Sequence, residues 1–121
     1  MFISDLMVRE LADGKKQLAL PLLYLHDGVP FVVPVGFITD YASVPRTPLI
    51  YWIFNGVANR AATLHDFLYS SASIPRKVAD EIFLSAMIED NTSDVKAYAM
   101  YFAVRLFGKC VREKAYGFIN E

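Results

Sequence analysis

The sequence predicts an α+β fold, with a small N-terminal antiparallel β-hairpin or three-stranded sheet followed by three α-helices. Three features predict it. Two Asp-Gly pairs, Asp13-Gly14 and Asp27-Gly28, separate short apolar segments in the first third of the chain, and Asp-Gly suits the positive backbone angles of tight hairpins. From Ala58 onward the apolar residues recur at helical spacing. Turn and capping residues then divide that second half into three.

In chain order, residues 5–11 and 16–25 read as two strands joined through Ala12-Asp13-Gly14-Lys15, and residues 29–35 as a third strand beyond Asp27-Gly28. Pro21, Pro30 and Pro34 interrupt these segments, which places them at edges or bulges of a small sheet. Residues 36–46 lose all periodicity and read as a loop, closed by Pro45 and Pro48. The very apolar residues 49–54, with Tyr51 and Trp52 among them, suggest a short helix ending at Asn55-Gly56. The first long helix is expected over residues 58–71. A second begins near Ser73, with Pro75 in its first turn where a missing amide costs nothing, and runs to Glu89. Thr92 or Ser93 caps a third, which is expected to run to Phe107 and stop at Gly108. The tail after Cys110 is polar apart from Tyr116 and Phe118 and takes no assignment.

A length of 121 residues fits one domain, 1–121, without room for a second core. The hydrophobic fraction of 55% with 14% aromatic residues is high for so small a protein; it can fill a tight core, or part of it can sit on an association surface. No apolar run is long enough to span a bilayer and no signal peptide opens the sequence, which points to synthesis in a cytoplasm. Contact of residues 49–54 with a membrane has no further support. One cysteine excludes an internal disulfide framework and a cysteine-based zinc site. Twelve basic and thirteen acidic side chains nearly cancel without a basic cluster, which argues against nucleic-acid binding.

The chemistry-bearing residues lie on the first two helices. At helical spacing, Ala58, Ala61, Ala62, Leu68, Tyr69 and Ala72 share one face of the first. His65 falls inside that face and Asp66 at its edge. On the second, Ala79, Ile82, Phe83, Ala86 and Met87 form the apolar side, flanked by Arg76 and Asp80, while Lys77, Glu81 and Ser85 point away. A short connection makes the two helices antiparallel neighbours, so both turn ionisable groups inward, where charges need partners. His65 is expected to give a ring hydrogen to Asp80, which would leave the other nitrogen as a general base. Asp66 is left with Arg76, Arg46 or a hard cation, and Asp40 with either network. The plainer alternatives stand beside these: a satisfied core histidine, an ordinary i, i+4 pair for Arg76 and Asp80, and a turn cap for Asp40. Ser43 lacks a nucleophile-elbow pattern, His26 flanks a hairpin, and Cys110 has no histidine nearby in sequence.

The segment Val33-Pro34-Val35-Gly36-Phe37-Ile38-Thr39-Asp40-Tyr41-Ala42-Ser43-Val44-Pro45-Arg46 resembles the signature of domain-of-unknown-function family 1353, found in bacteria and phages. Ala61-Ala62 with His65-Asp66-Phe67-Leu68-Tyr69 continues the resemblance. So do Arg76 with Ala79-Asp80, Phe83 and Ala86-Met87, and Tyr101 with Ala103-Val104-Arg105-Leu106-Phe107-Gly108. It covers nearly the whole chain. It implies a phage or prophage origin, often among tail and late genes, and no established activity. A looser similarity, His-Asp-x-x-Tyr followed by Arg-x-x-Ala-Asp-x-x-Phe, is to the helical pair of secreted and viral phospholipases A2. That similarity implies His65 as general base, Asp66 as calcium ligand, Asp80 as the acid that orients His65, and Tyr69 as support. No phospholipase-type glycine-rich calcium loop precedes His65, the spacing from His65 to Asp80 is short, and no disulfides lock the helices. Asp40 is then the remaining candidate for the missing loop ligand.

Two functions follow as expectations. One is a phage virion component made in the host cytoplasm, a tail-associated structural or adaptor protein, expected in several copies, whose partners are other tail proteins. The other is a phospholipase A2-like or metal-assisted hydrolase acting on a cell-envelope ester, with His65 as base and calcium as the candidate cofactor. A structural network should be closed with every polar atom paired, whereas a catalytic one needs a cleft reaching His65.

Overall fold

The computed structural model describes residues 1–39, 59–71 and 73–116. The first part holds five short strands: β1 Val8–Glu10, β2 Lys16–Leu18, β3 Leu22–His26, β4 Val29–Val33 and β5 Ile38–Thr39. Three helices follow: α1 Asn59–Tyr69, α2 Arg76–Glu89 and α3 Asp94–Tyr116. The fold is α+β, as the patterning predicts, but the strands are shorter and differently partnered.

The expected strand over residues 16–25 is two strands. Ala19-Leu20-Pro21 breaks it, and the halves join different sheets: β1-β2-β5 is one, antiparallel throughout, and β3-β4 is the other. Proline at 21 cannot donate to a ladder, so the chain changes sheet there. Pro30 lies in β4, opposite Leu25. Pro34 leaves the ladder for a turn in which the Phe37 amide donates to the Pro34 carbonyl at 3.2 Å. Asp27 and Gly28, with φ of 49° and 79°, form the two-residue turn that sets the register His26↔Val29. The first residues add to the far side of β3, with Phe2 bridged to Tyr24 and the Ile3 amide donating to Leu23 O at 2.9 Å.

The helices pack α1 on α2 and α2 on α3, while α1 also meets β3 and β5. Helix α2 ends in a Schellman turn. Asn91 takes the left-handed conformation (φ 67°), the Thr92 amide donates to Met87 O at 2.9 Å, and the Asn91 amide donates to Ile88 O at 3.2 Å. Ser93 then caps α3 through its Oγ, which accepts from the Lys96 amide at 3.4 Å. The core is one cluster: Leu18, Leu22, Tyr24 and Val33 from the strands meet Leu64, Leu68, Ile82, Phe83, Met87 and Met100 from the helices.

Helix α3 does not stop at Gly108 but continues to Tyr116. The glycine serves packing instead. It is buried inside the helix, and a Cβ there would collide with the Tyr69 hydroxyl while lying 3.2 Å from Tyr69 Cε2 and Cζ. Gly108 is what lets α3 approach the aromatic ring of α1.

Candidate functional site

Helix α2 packs on α1, and the faces meet as their spacing predicts. Ala61, Ala62, His65, Leu68 and Tyr69 of α1 are buried, as are Arg76, Ala79, Asp80, Phe83, Ala86 and Met87 of α2. Lys77 and Glu81 are exposed. His65 and Asp80 have no exposed surface at all.

Asp80 is the hub. Its Oδ1 accepts from His65 Nε2 at 2.7 Å and from the Tyr69 hydroxyl at 2.7 Å. Its Oδ2 accepts from Arg105 Nη1 of α3 at 2.8 Å and faces Arg76 Nη1 at 3.4 Å. Two donors on each oxygen fill the carboxylate's four lone-pair positions. Arg76 Nη1 donates also to the carbonyls of Val104 at 3.1 Å and Arg105 at 3.2 Å. One buried carboxylate thereby joins all three helices. The His65 ring stacks on Phe83, with centroids 4.5 Å apart, and lies 4.2 Å from the Tyr69 ring. Facing a carboxylate, Nε2 carries the ring proton.

The electrostatics follow the geometry. Burial by itself raises the Asp80 pKa, but the hydrogen bond and charge of His65, with the bonds from Tyr69 and Arg105, outweigh it and hold the carboxyl below its usual value. Burial, then the charge and hydrogen bond of Asp80, push the Tyr69 phenol well above its usual value. The phenol therefore remains a neutral donor.

His65, Tyr69, Asp80 and Arg76 are thus brought together. Among the described residues, Asp66 meets a different partner. One residue further along α1 it turns to the sheet, where its Oδ2 accepts from the Thr39 hydroxyl of β5 at 2.6 Å. Of the partners expected for Asp66, Arg76 engages Asp80 and the α3 carbonyls, and Arg46 is not among the described residues. Asp40 and Arg46 lie outside the described residues, as do Ser43 and residues 49–54. Among the described residues, no group of three His, Cys, Asp or Glu is placed to hold a metal ion.

Sequence reasoning missed Arg105 as a partner of Asp80. A signal existed: Arg105 is the only charge between Lys96 and Lys109, in an otherwise apolar stretch. It also missed Arg60, whose guanidinium forms a two-point pair with Asp90, donates to Ser4 O at 3.1 Å and lies 4.7 Å above the Phe2 ring. Nothing local in the sequence marks that cluster, since its members come from three distant segments.

Residues 17–104, well over half of the chain, match the family model described as "Protein of unknown function (DUF1353)". Neither a curated protein nor a solved structure matches.

Proposed function

The chain belongs to the DUF1353 family, and on that premise we propose that it is a structural phage virion component, a tail-associated adaptor that docks on other tail subunits. Its His65–Asp80 network acts as an internal brace. The supporting observation is the burial of that network: His65 and Asp80 are both fully buried, and both Asp80 oxygens are engaged by side chains of the three helices. A general base must be reachable by the group it deprotonates. The His65 ring is packed instead against Phe83 and Tyr69. A rigid helical unit with apolar residues on its outside suits an adaptor that makes its contacts on its surface.

The test is mass spectrometry of particles purified on density gradients from an induced lysogen carrying the gene. The expected result is the chain present at stable stoichiometry with tail proteins. Presence only in the particle-free lysate would sink the reading.

One observation favours the second reading, a calcium-assisted hydrolase of a cell-envelope ester. The 2.7 Å contact of His65 with Asp80 is the pairing that the phospholipase A2 similarity implies, with Asp66 and Asp40 as its candidate calcium ligands. Calorimetry with calcium on wild type and Asp66→Ala, run beside phospholipid hydrolysis by wild type and Asp80→Asn, decides it. Binding lost with Asp66 and turnover lost with Asp80 would carry this reading over the first.

A further inference from the structure

Helix α3 is apolar on two opposite sides. At 100° per residue, Ala97, Met100, Val104 and Gly108 fall within an arc of about 80°, and all four are buried against the rest of the protein. Val95, Tyr98, Phe102 and Leu106 fall within a similar arc almost diametrically opposite, about 160° away. These four are 80%, 46%, 57% and 74% exposed. The outward side chains are the larger set, and Tyr98 and Phe102 are ring neighbours with centroids 6.3 Å apart. A helix that is apolar on both sides is the pattern of a buried helix, which marks the outer stripe as an interface.

We propose that this stripe is a two-fold interface with a second copy of the same chain, formed by antiparallel packing of α3 on α3. Two features favour a second copy. The first is self-complementarity: an antiparallel register that sets Val95 against Leu106 of the second copy also sets Tyr98 against its Phe102, so each pair recurs under the two-fold axis, as an isologous interface requires. No charged residue lies on the stripe itself between Val95 and Leu106, and the neighbouring Arg105 is already held by Asp80, so no like charges confront each other across the axis. Antiparallel packing also sets opposite ends of the helix dipoles side by side.

The second is area. Four such side chains remove roughly 400–500 Å² per copy, which with their rims approaches about 1,000 Å² in total, the lower edge of specific interfaces. That size gives a reversible dimer rather than an obligate one. The inference deepens the docking role proposed above and rests on it only for its biological purpose, because self-association is measured without particles.

The experiment is sedimentation velocity of the full chain from low to high micromolar concentration, for wild type and Phe102→Glu. The weight-average mass of wild type should rise towards twice that of the monomer, and Phe102→Glu should weaken the association at least tenfold with an unchanged circular-dichroism spectrum. Mixing Val95→Cys with Leu106→Cys, both in a Cys110→Ser background, should give a disulfide-linked pair faster than either gives alone. A wild type that stays monomeric throughout overturns the proposal. So does a Phe102→Glu variant that associates as well as wild type. Wild type that stays monomeric yet binds phosphatidylcholine vesicles through the stripe overturns it in favour of a lipid surface. None of these outcomes bears on whether the chain is found in particles.

Discussion

Two carboxylates near helix α2 hold arginines from other helices, and they do so at different depths. Asp80, in the middle of the helix, has no exposed surface and binds His65, Tyr69, Arg76 and Arg105. Asp90, at the C-terminal cap, forms a partly buried pair with Arg60, where the same guanidinium reaches Ser4 and Phe2. The chemistry of the two pairings is alike. The dielectric is not, and it decides what each carboxylate does. In the interior every uncompensated charge is expensive, so the four partners of Asp80 are interdependent. Around Asp90, whose side chain is 18% exposed, water replaces part of what is lost.

The sharpest way to break this comparison is Asp80→Ala. Removing it leaves two guanidinium groups and an imidazole without their shared acceptor, and the expected loss is about 3–5 kcal/mol in urea unfolding, insensitive to added salt. A loss below about 1 kcal/mol would put Asp80 in the same class as an exposed ion pair. The same residue governs acid stability. Its folded pKa is lowered, so its contribution is complete above the unfolded value of about 4 and disappears as pH falls through the folded value. Acid titrations of stability should therefore fall less steeply below about pH 4 for Asp80→Asn than for wild type.

Next in size is Gly108→Ala. Alanine is the better helix former by about 1 kcal/mol, yet its Cβ would strike the Tyr69 hydroxyl, so a net destabilisation of about 1–3 kcal/mol is expected. Tyr69→Phe removes the struck atom, and the double variant should lose less than the sum of the singles. Additivity would mean that the two positions do not touch.

Asp90→Ala should cost about 1 kcal/mol at low salt and less in 1 M sodium chloride, whereas the loss at Asp80 should not change with salt. Smallest is Lys77→Ala. Its 3.9 Å pair with Glu81 is exposed, and a change below about 0.5 kcal/mol is expected in thermal unfolding.

What could be read in the sequence was what is local. The two Asp-Gly turns, the cap at Ser93 (one of the two residues expected there) and the inward faces of α1 and α2 follow from spacing and capping, whereas α2 begins at Arg76 with Pro75 as its N-cap, later than the start expected near Ser73. The His65–Asp80 contact was legible for the same reason, because two short periodic helices joined by a tight turn have few ways to meet. The partners of the strands were not. Whether residues 16–25 form one strand or two depends on which sheet each half enters, and Phe2 and Ile3 pair with β3 across some twenty residues. Gly108 misled because a helix-stopping glycine and a close-packing glycine look the same until the Tyr69 ring is in place. The Thr39 contact of Asp66 was not legible for a related reason: Thr39 belongs to β5, whose position depends on β2.

The pairing of β2 with β5 has a practical consequence for engineering. The chain leaves the three-stranded sheet after Leu18, makes the β3-β4 excursion, and returns to the point it left, with the Leu18 amide donating to Phe37 O at 2.9 Å and the Gly36 amide donating to Leu18 O at 2.8 Å. The excursion has buried flanks, but its tip at Asp27 and Gly28 is exposed. A peptide grafted between those two residues would lengthen a loop whose ends are already pinned, and each doubling of that loop adds only about 0.6 kcal/mol of closure entropy. The tip is thus a natural place for a fluorophore or an epitope, on an outer turn away from the buried Asp80 hub.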